Sequence, residues 1–342
     1  MPGILGISNE TGKPRILYSM SDRGEVTVRE AENINAYLAA ARDVIVAKAP
    51  RPLGEQSEMD YGNKPTDGGS LILSSSEYLE TAKEIPGAFN VLRRFIGSSD
   101  GIDGSLRYCL WIDDDQLRSL AAIERIRSRL DSVRTFRSQS TKKATVAAAR
   151  SPHRFQEVRQ IGNEVSVVVP RHSSESRKYL PFVLAQKGAI VADSAFAFYN
   201  VPWWNIAVFG SRLHLVWVAA VCGKIKTDYR YSNTLGWNTF PVPSLTDQNK
   251  ADLTHCAEDI LLAREAHFPA TIADLYDPDA MPANLREAHE RNDDTLERIY
   301  IGRRFKNDTE RLEKLFELYT QMTAREAQAN PKGAKKVAKR KT

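Results

Sequence analysis

What most constrains this 342-residue chain is a change of pattern at Pro243. Before it, short apolar runs with the alternation of β-strands are broken by Gly, Pro and Ser. After it, residues 247–266, 283–300 and 307–325 carry apolar side chains every three or four positions, the period of amphipathic helices, and no strand pattern recurs. A chain written this way is expected to be α+β: a mixed strand and helix domain over residues 1–243, then a small all-α domain over 244–329. The terminal NPKGAKKVAKRKT, residues 330–342, reads as a disordered basic tail.

Within the first domain KPRILYSM, EVTVREA and RDVIVAK predict β-rich pieces over residues 4–50. YGNKPTDGG, 61–69, lacks the glycine spacing of a phosphate loop and reads as a turn. Ser74 and Glu77 form the pattern of a capping box, so a short helix should start there. A second helix carrying Phe89, Leu92, Phe95 and Ile96 is expected to stop at Gly97, and SLRYCLWI, 105–112, to be a buried strand. The strongest helical stripe runs Leu117, Leu120, Ile123, Ile126, Leu130, Val133 and Phe136, with Arg118, Arg125, Arg127, Arg129, Arg134 and Arg137 on the other faces. EVSVVVP, KYLPFVLA and AIVADSAFAFY predict strands around the polar loop RHSSESRK, 171–178, and residues 205–223 a buried helix.

Net charge is +5, yet the tail alone carries six basic residues and no acid. The body is therefore close to neutral but uneven. Residues 118–178 hold fourteen Lys or Arg against five Asp or Glu, and residues 247–329 hold eleven against eighteen. This predicts a basic surface in the middle of the chain and an acidic face near its end. No apolar run approaches the roughly 20 residues that cross a bilayer, and the start lacks the regions of a secretion signal, so a cytoplasmic protein without membrane association is expected. Cys109, Cys222 and Cys256 are far apart among apolar neighbours and read as small buried residues.

Catalytic patterns are sparse. GSSDG, 97–101, matches GxSxG, but with a helix expected before it the strand-to-helix elbow that exposes a nucleophile is missing. No HExxH occurs, and His214 on an apolar helix reads as a hydrogen-bonded core residue. NVPWW, 200–204, imitates the Asn-Pro-Pro-aromatic run with which amino-methylating DNA enzymes hold a flipped base. However, Val201 replaces the first proline, and no glycine-rich cofactor loop lies upstream. TDYRYSNTLGWNTFPVP, 227–243, mixes aromatic rings, an arginine and amides. That chemistry suits nucleic-acid reading, and it suits equally a core that closes where strands meet helices.

An ordered series of motifs carries a resemblance. INAYL (34–38), DVIVAK (43–48), YGNKPTDGGSLILS (61–74), LRRFIGS (92–98) and DGSLRYCLWI (103–112) come first. VRTFRSQSTKKAT (133–145), SSESRKYLPF (173–182), FGSRLHLVWVAAVCGKIKTDYRYSN (209–233) and NTFPVP (238–243) follow. IADLYDP (272–278), MPANLREAH and RLEKLFELY complete the set. In this order they resemble the C-terminal half of the MmeI-like (type IIL) restriction–modification proteins, which join an endonuclease, an adenine-N6 methyltransferase and a target recognition domain. Gly101, Gly236 and Trp237 depart from the family pattern.

The resemblance implies that residues 1–243 are a target recognition domain and 244–329 the helical domain that follows it. It implies that the nuclease site, the S-adenosylmethionine loop and the NPPY-type motif lie outside this chain. S-adenosylmethionine, and Mg for cleavage, would then belong to a separate catalytic methyltransferase polypeptide, and this chain would bind double-stranded DNA. YRYSN and NTFPVP would serve the fold, and base choice would sit on variable loops. The candidate DNA-binding residues are Lys142, Lys143, Arg171, Ser173, Ser174, Arg177, Lys178 and Arg230. Two other readings stand beside this one: a self-sufficient methyltransferase using NVPWW, and a DNA-associated scaffold whose acidic helices dock a partner.

Overall fold

The computed structural model describes residues 15–20, 26–85 and 87–329. The expected basic tail and the first residues lie outside that range. Two adjacent strands at the centre, Ser166–Pro170 and Ala195–Tyr199, pair antiparallel and are buried on both faces. Their side chains sort by the two-residue period of a strand. Val167, Val169, Phe196 and Phe198 face a large core shared with the helices. Val168, Ala195 and Ala197 face the opposite way, onto a small cluster with Ile96, Ala185 and Val191. The alternation Ala-Phe-Ala-Phe therefore lets a second sheet approach on the alanine side and fills the phenylalanine side with rings.

Asp60–Tyr61 and Val183–Ala185 complete the central sheet. The second sheet has the order Ile190–Val191, Leu92–Ile96, Arg107–Leu110, Ile72–Ser74. Helices Ser75–Glu84 and Glu124–Ser138 pack with it around a separate core that includes Leu73, Leu92, Phe95, Leu110, Ile126, Leu130 and Val133. The capping box forms as expected: the Glu77 amide donates to Ser74 Oγ at 3.3 Å, and the Ser74 amide to Glu77 Oε2 at 2.8 Å. A three-stranded ribbon joins His172–Ser173 to the hairpin Gly223–Ile225 and Asp228–Arg230.

The helices after Pro243 follow the sequence closely, at Asp247–Glu265, Ala283–Ile301 and Asp308–Ala329, with one added turn at Ile272–Leu275. They share one core with the central sheet, because Leu253, Ile260, Leu285, Leu296 and Phe316 pack with Phe209, Trp217 and Phe240. Polar contacts cross the same junction. Asn292 Nδ2 donates to the Ala207 carbonyl at 2.8 Å, and the Tyr300 hydroxyl to the Pro241 carbonyl at 2.8 Å.

Several expectations are corrected. Leu92–Ile96 is a strand, because neighbours on both sides complete its ladder and tertiary pairing overrides local helical spacing. DVIVAK is not a strand: no ladder partner lies beside it, Ile45 is exposed, and the Val46 amide donates to the Tyr37 hydroxyl instead. Only Val183–Ala185 of KYLPFVLA pairs. The helix of residues 205–223 is two helices, Trp204–Phe209 and Arg212–Val221, broken at Gly210, whose carbonyl is bonded to His289 Nδ1 at 3.1 Å. In the turn of residues 61–69, a side chain at Gly62 would collide with the Ala192 carbonyl, so close backbone approach accounts for that glycine.

The arginine-rich helix holds the largest correction. It breaks into Leu117–Leu120 and Glu124–Ser138, Phe136 is exposed, and Arg137 is fully buried. The Arg137 guanidinium donates to five backbone carbonyls, those of Pro65 (2.7 Å), Thr66 (2.8 Å), Ala148 (3.0 Å), Ser151 (3.0 Å) and Arg154 (2.8 Å). Two loops that could not satisfy their own carbonyls are thereby tied to one helix. Replacing Arg137 with Met should leave those carbonyls unpartnered and destabilise the fold by about 3 kcal/mol or more, read as a lower midpoint in urea unfolding. An unchanged midpoint would show that water or relaxation satisfies them.

A second prediction concerns pH. Asp293, on Ala283–Ile301, accepts from the Arg212 amide at 2.7 Å and the Tyr179 hydroxyl at 3.0 Å, yet burial pushes its carboxyl up to about 7. The folded state thus holds this proton more tightly than the unfolded chain, where an aspartate titrates near pH ~4. The stabilisation is complete below that pH and is lost as the pH rises to about 7. The melting temperature of D293N relative to the unsubstituted chain should therefore climb between pH 5 and pH 7.5. A pH-independent difference would contradict the assignment.

Candidate nucleic-acid interface

The loop of residues 171–178 leaves the end of the buried strand Ser166–Pro170 and is caught at once by the ribbon. Arg230 stands opposite His172, and Tyr229 opposite Ser173. Side chains of such pairs share a face. Arg230 and His172 are both exposed, whereas Ser173 is buried and Tyr229 half-buried, with Lys224 Nζ 5.1 Å from the Tyr229 ring centre. The ribbon therefore pairs an arginine with a histidine towards solvent and turns Ser173 inward. His172 was not among the residues singled out from sequence; the alternation of its two-residue strand is the only signal that marks it.

Arg171 is held by its backbone. Its amide donates to Ser98 Oγ at 3.1 Å, and its carbonyl accepts from the Tyr231 amide at 2.8 Å. Its guanidinium lies 5.8 Å from the Tyr61 ring centre and 5.5 Å from that of Phe196, a cation–π arrangement beside the exposed edge of Tyr61. Ser174 Oγ bonds Ser176 Oγ at 2.9 Å, and the Ser174 carbonyl accepts from the Arg177 amide at 3.3 Å, so Ser174 shapes the turn. Arg177 is half-buried. Burial pulls its pKa down, and the nearby charges of Asp103, Asp228 and Asp277 offset this only in part. Lys178 is exposed.

Lys142 and Lys143 are not brought to this loop. They open the short helix Lys143–Ala148, whose end is tied down by Arg137, and both are exposed. The basic surface expected over residues 118–178 is also thinner than its charge count. Arg125 pairs with Glu80 and Glu84, Arg127 with Glu124, Arg129 with Glu77, Arg134 with Asp131, and Arg154 with Asp114. What is left open is more selective. Lys142, Lys143, Arg150, Lys178 and Arg230 are among the exposed cations that have no ion-pair partner among the described residues, as is Arg118.

The segment 227–243 is mostly core. Tyr231, Trp237 and Phe240 are buried around His214, which hydrogen-bonds the Phe209 carbonyl at 2.9 Å and which burial pushes down to about 4. Trp237 Nε1 donates to the Ser57 carbonyl at 2.7 Å, and Asn238 Nδ2 to the Ala49 carbonyl at 2.9 Å. Of the run's polar residues, Thr227, Asp228 and Arg230 are left to solvent. The three cysteines are free, and burial pushes each thiol up, Cys222 to about 11.

Two catalytic imitations resolve differently. GSSDG does follow a strand and open a helix, Ser98–Asp103, contrary to the expected order. Even so, none of the histidine hydrogen bonds among the described residues reaches Ser99, and Asp100 is engaged by the Gly97 amide and by Arg107. In NVPWW the Asn200 side-chain oxygen accepts from the Val165 amide at 3.1 Å, so the amide oxygen that would hold a base ties the end of Ala195–Tyr199 to the start of Ser166–Pro170. No group of three or more His, Cys, Asp or Glu side chains that could hold a metal ion converges among the described residues. Two grooves, of about 640 and 510 Å³, lie along the last helix. The first is lined by Arg42, Arg303, Glu310, Glu313, Lys314 and Glu317, without a glycine-rich loop to fit S-adenosylmethionine.

Comparison with known proteins places these features. The sequence matches the family model described as MmeI, target recognition domain, over residues 40–244, and that of the MmeI C-terminal domain over residues 245–326. DNA methyltransferase A of Bacillus subtilis (strain 168) is 36% identical over 299 residues, which cover 87% of this chain and 34% of that protein. The structure of the type IIL restriction–modification enzyme MmeI in complex with DNA superposes with a TM-score of 0.81 at 30% identity, covering 92% of this chain and 42% of that one. This chain thus spans about a third and two-fifths of the lengths of these two relatives. With both family models matched over most of its length, it belongs to the MmeI family and carries that family's target recognition and C-terminal domains.

Proposed function

We propose that this chain is the double-stranded-DNA reading portion of an adenine-N6 methyltransferase of the restriction–modification kind, and that bond-making resides on a catalytic methyltransferase portion it works with. Lys178 and Arg230 carry the reading: they flank one exposed loop and keep their charge free, whereas Arg125, Arg129 and Arg134 of the second sheet's helix are paired internally. A cation without an acid partner can release counterions from the duplex backbone, and one already paired gains little by doing so. Arg171, Ser174 and His172 stand on the same loop with donors suited to base edges or phosphates. Lys142, Lys143 and Arg150 would supply a second phosphate contact from the other lobe.

The catalytic portion is supported by a separate feature. In the hairpin Arg15–Met20 and Val26–Ala31, Leu17 is buried and Arg29 pairs with Glu313 of the last helix. Ile16, Tyr18, Val26 and Val28 share the opposite face and are all exposed. This hairpin precedes the matched recognition domain, and an apolar face of that kind fits a protein partner. S-adenosylmethionine and Mg would be bound on that portion. A self-sufficient methyltransferase using Asn200 is disfavoured by the Val165 amide that already engages its side-chain oxygen.

The test is duplex binding by fluorescence anisotropy at several salt concentrations. The double variant K178E/R230E should weaken binding and reduce the slope of log K against log salt by about 2, one per lost phosphate contact. No binding at low salt, with or without the catalytic portion of the relative supplied, would refute the reading. Deleting residues 330–342 should leave sequence preference in place; if all binding vanishes, the scaffold reading gains instead. Calorimetry with S-adenosylmethionine should show no heat, since the self-sufficient enzyme alone requires binding here.

A further inference from the structure

The loop of residues 171–178 is anchored at two ends by two different parts of the chain. Its tip belongs to the ribbon: Glu175 pairs with Lys224 at 3.1 Å, and its amide donates to Asp228 Oδ1 at 3.3 Å. Its root belongs to the helices beyond Pro243. The Tyr179 hydroxyl donates to Asp293 Oδ2 at 3.0 Å, and the Tyr179 ring stacks on His289 with centres 4.1 Å apart. Arg212 joins the same cluster three ways. Its amide donates to Asp293 Oδ1 at 2.7 Å, its guanidinium reaches the Lys178 carbonyl at 3.4 Å, and it pairs with Asp308, which Arg311 also contacts.

His289 is itself fixed. Burial keeps its imidazole neutral, pushed down to about 3. Nδ1 is bonded to the Gly210 carbonyl at 3.1 Å and so carries the proton, which leaves Nε2 to accept from the Tyr276 hydroxyl at 2.9 Å. Every partner of the loop's root is therefore held by another buried group of the helical domain or of the helices it packs on.

We propose that the C-terminal helical domain is a positioning element for DNA reading, with Asp293 and Tyr179 as the clamp that sets the loop of residues 171–178. The proposal rests on that loop being a reading loop. Base-edge contacts demand placement within about 0.5 Å, which an eight-residue loop with only a two-residue strand does not hold unaided. Phosphate contacts by long, flexible lysine and arginine side chains tolerate more displacement. Loss of the clamp should therefore erase discrimination between sequences before it erases binding.

Two variants of the full chain test this, Y179F, which removes one hydroxyl and keeps the ring stack, and D293A. Hydrogen exchange of the 171–178 amides is measured alongside selection from a duplex library with a randomised centre. Both variants should exchange the loop amides at least tenfold faster, with strand Ser166–Pro170 still protected, and should lose base preference while the salt dependence on a fixed duplex stays unchanged. Wild-type loop exchange in Y179F and D293A, or faster exchange with base preference intact, would overturn the clamp. Faster exchange together with no base preference even in the unsubstituted chain would overturn the DNA-reading function and leave the anchoring standing.

Discussion

The pairing of Ser166–Pro170 with Ala195–Tyr199 is the constraint on which the rest of the molecule depends. Because both strands are buried on both faces, they must satisfy two cores at once, and they do so with phenylalanine on one side and alanine on the other. The phenylalanine side recruits the helices on either side of Gly210 and, through them, the C-terminal helices. The alanine side admits the second sheet with its arginine-bearing helix. The loop of residues 171–178 begins one residue beyond this pairing, which gives a polar surface segment a rigid root.

Charge on this protein is better understood by pairing than by totals. The segment with the greatest basic excess consumes most of its arginines in ion pairs with its own helix or the neighbouring one, and Arg137 goes furthest, burying its charge on carbonyls alone. Exposed pairs of this kind contribute little stability individually, but they withdraw charge from any external anion. Among the cations left open are those at the start of the helix Lys143–Ala148 and those of the ribbon-held loop.

How much of this was legible varies by element, for physical reasons. The helices after Pro243 and the capping box at Ser74 are local patterns, and each appears where its spacing put it. Leu92–Ile96 went astray because its two ladder partners lie far along the chain, at Arg107–Leu110 and Ile190–Val191. Of the candidate site residues, Lys178 and Arg230 are open to solvent at the loop, Ser173 is turned inward, Arg177 sits among aspartates, and Lys142 and Lys143 lie on the other lobe. Nothing in the order of residues could separate these, since strand registry in the ribbon decides which side each faces.

By itself the sequence determined the class of fold, the passage from strands to helices at Pro243, and the family, because these rest on periodicity and on motifs read in chain order. The tertiary structure alone decided which arginines are free, which face of the ribbon meets solvent, and that the helical domain grips Tyr179 through Asp293. Those outcomes depend on contacts between residues that are distant in the chain, 114 positions apart for Tyr179 and Asp293, and a side chain's charge or hydrogen bond is available to another molecule only if no such neighbour has taken it.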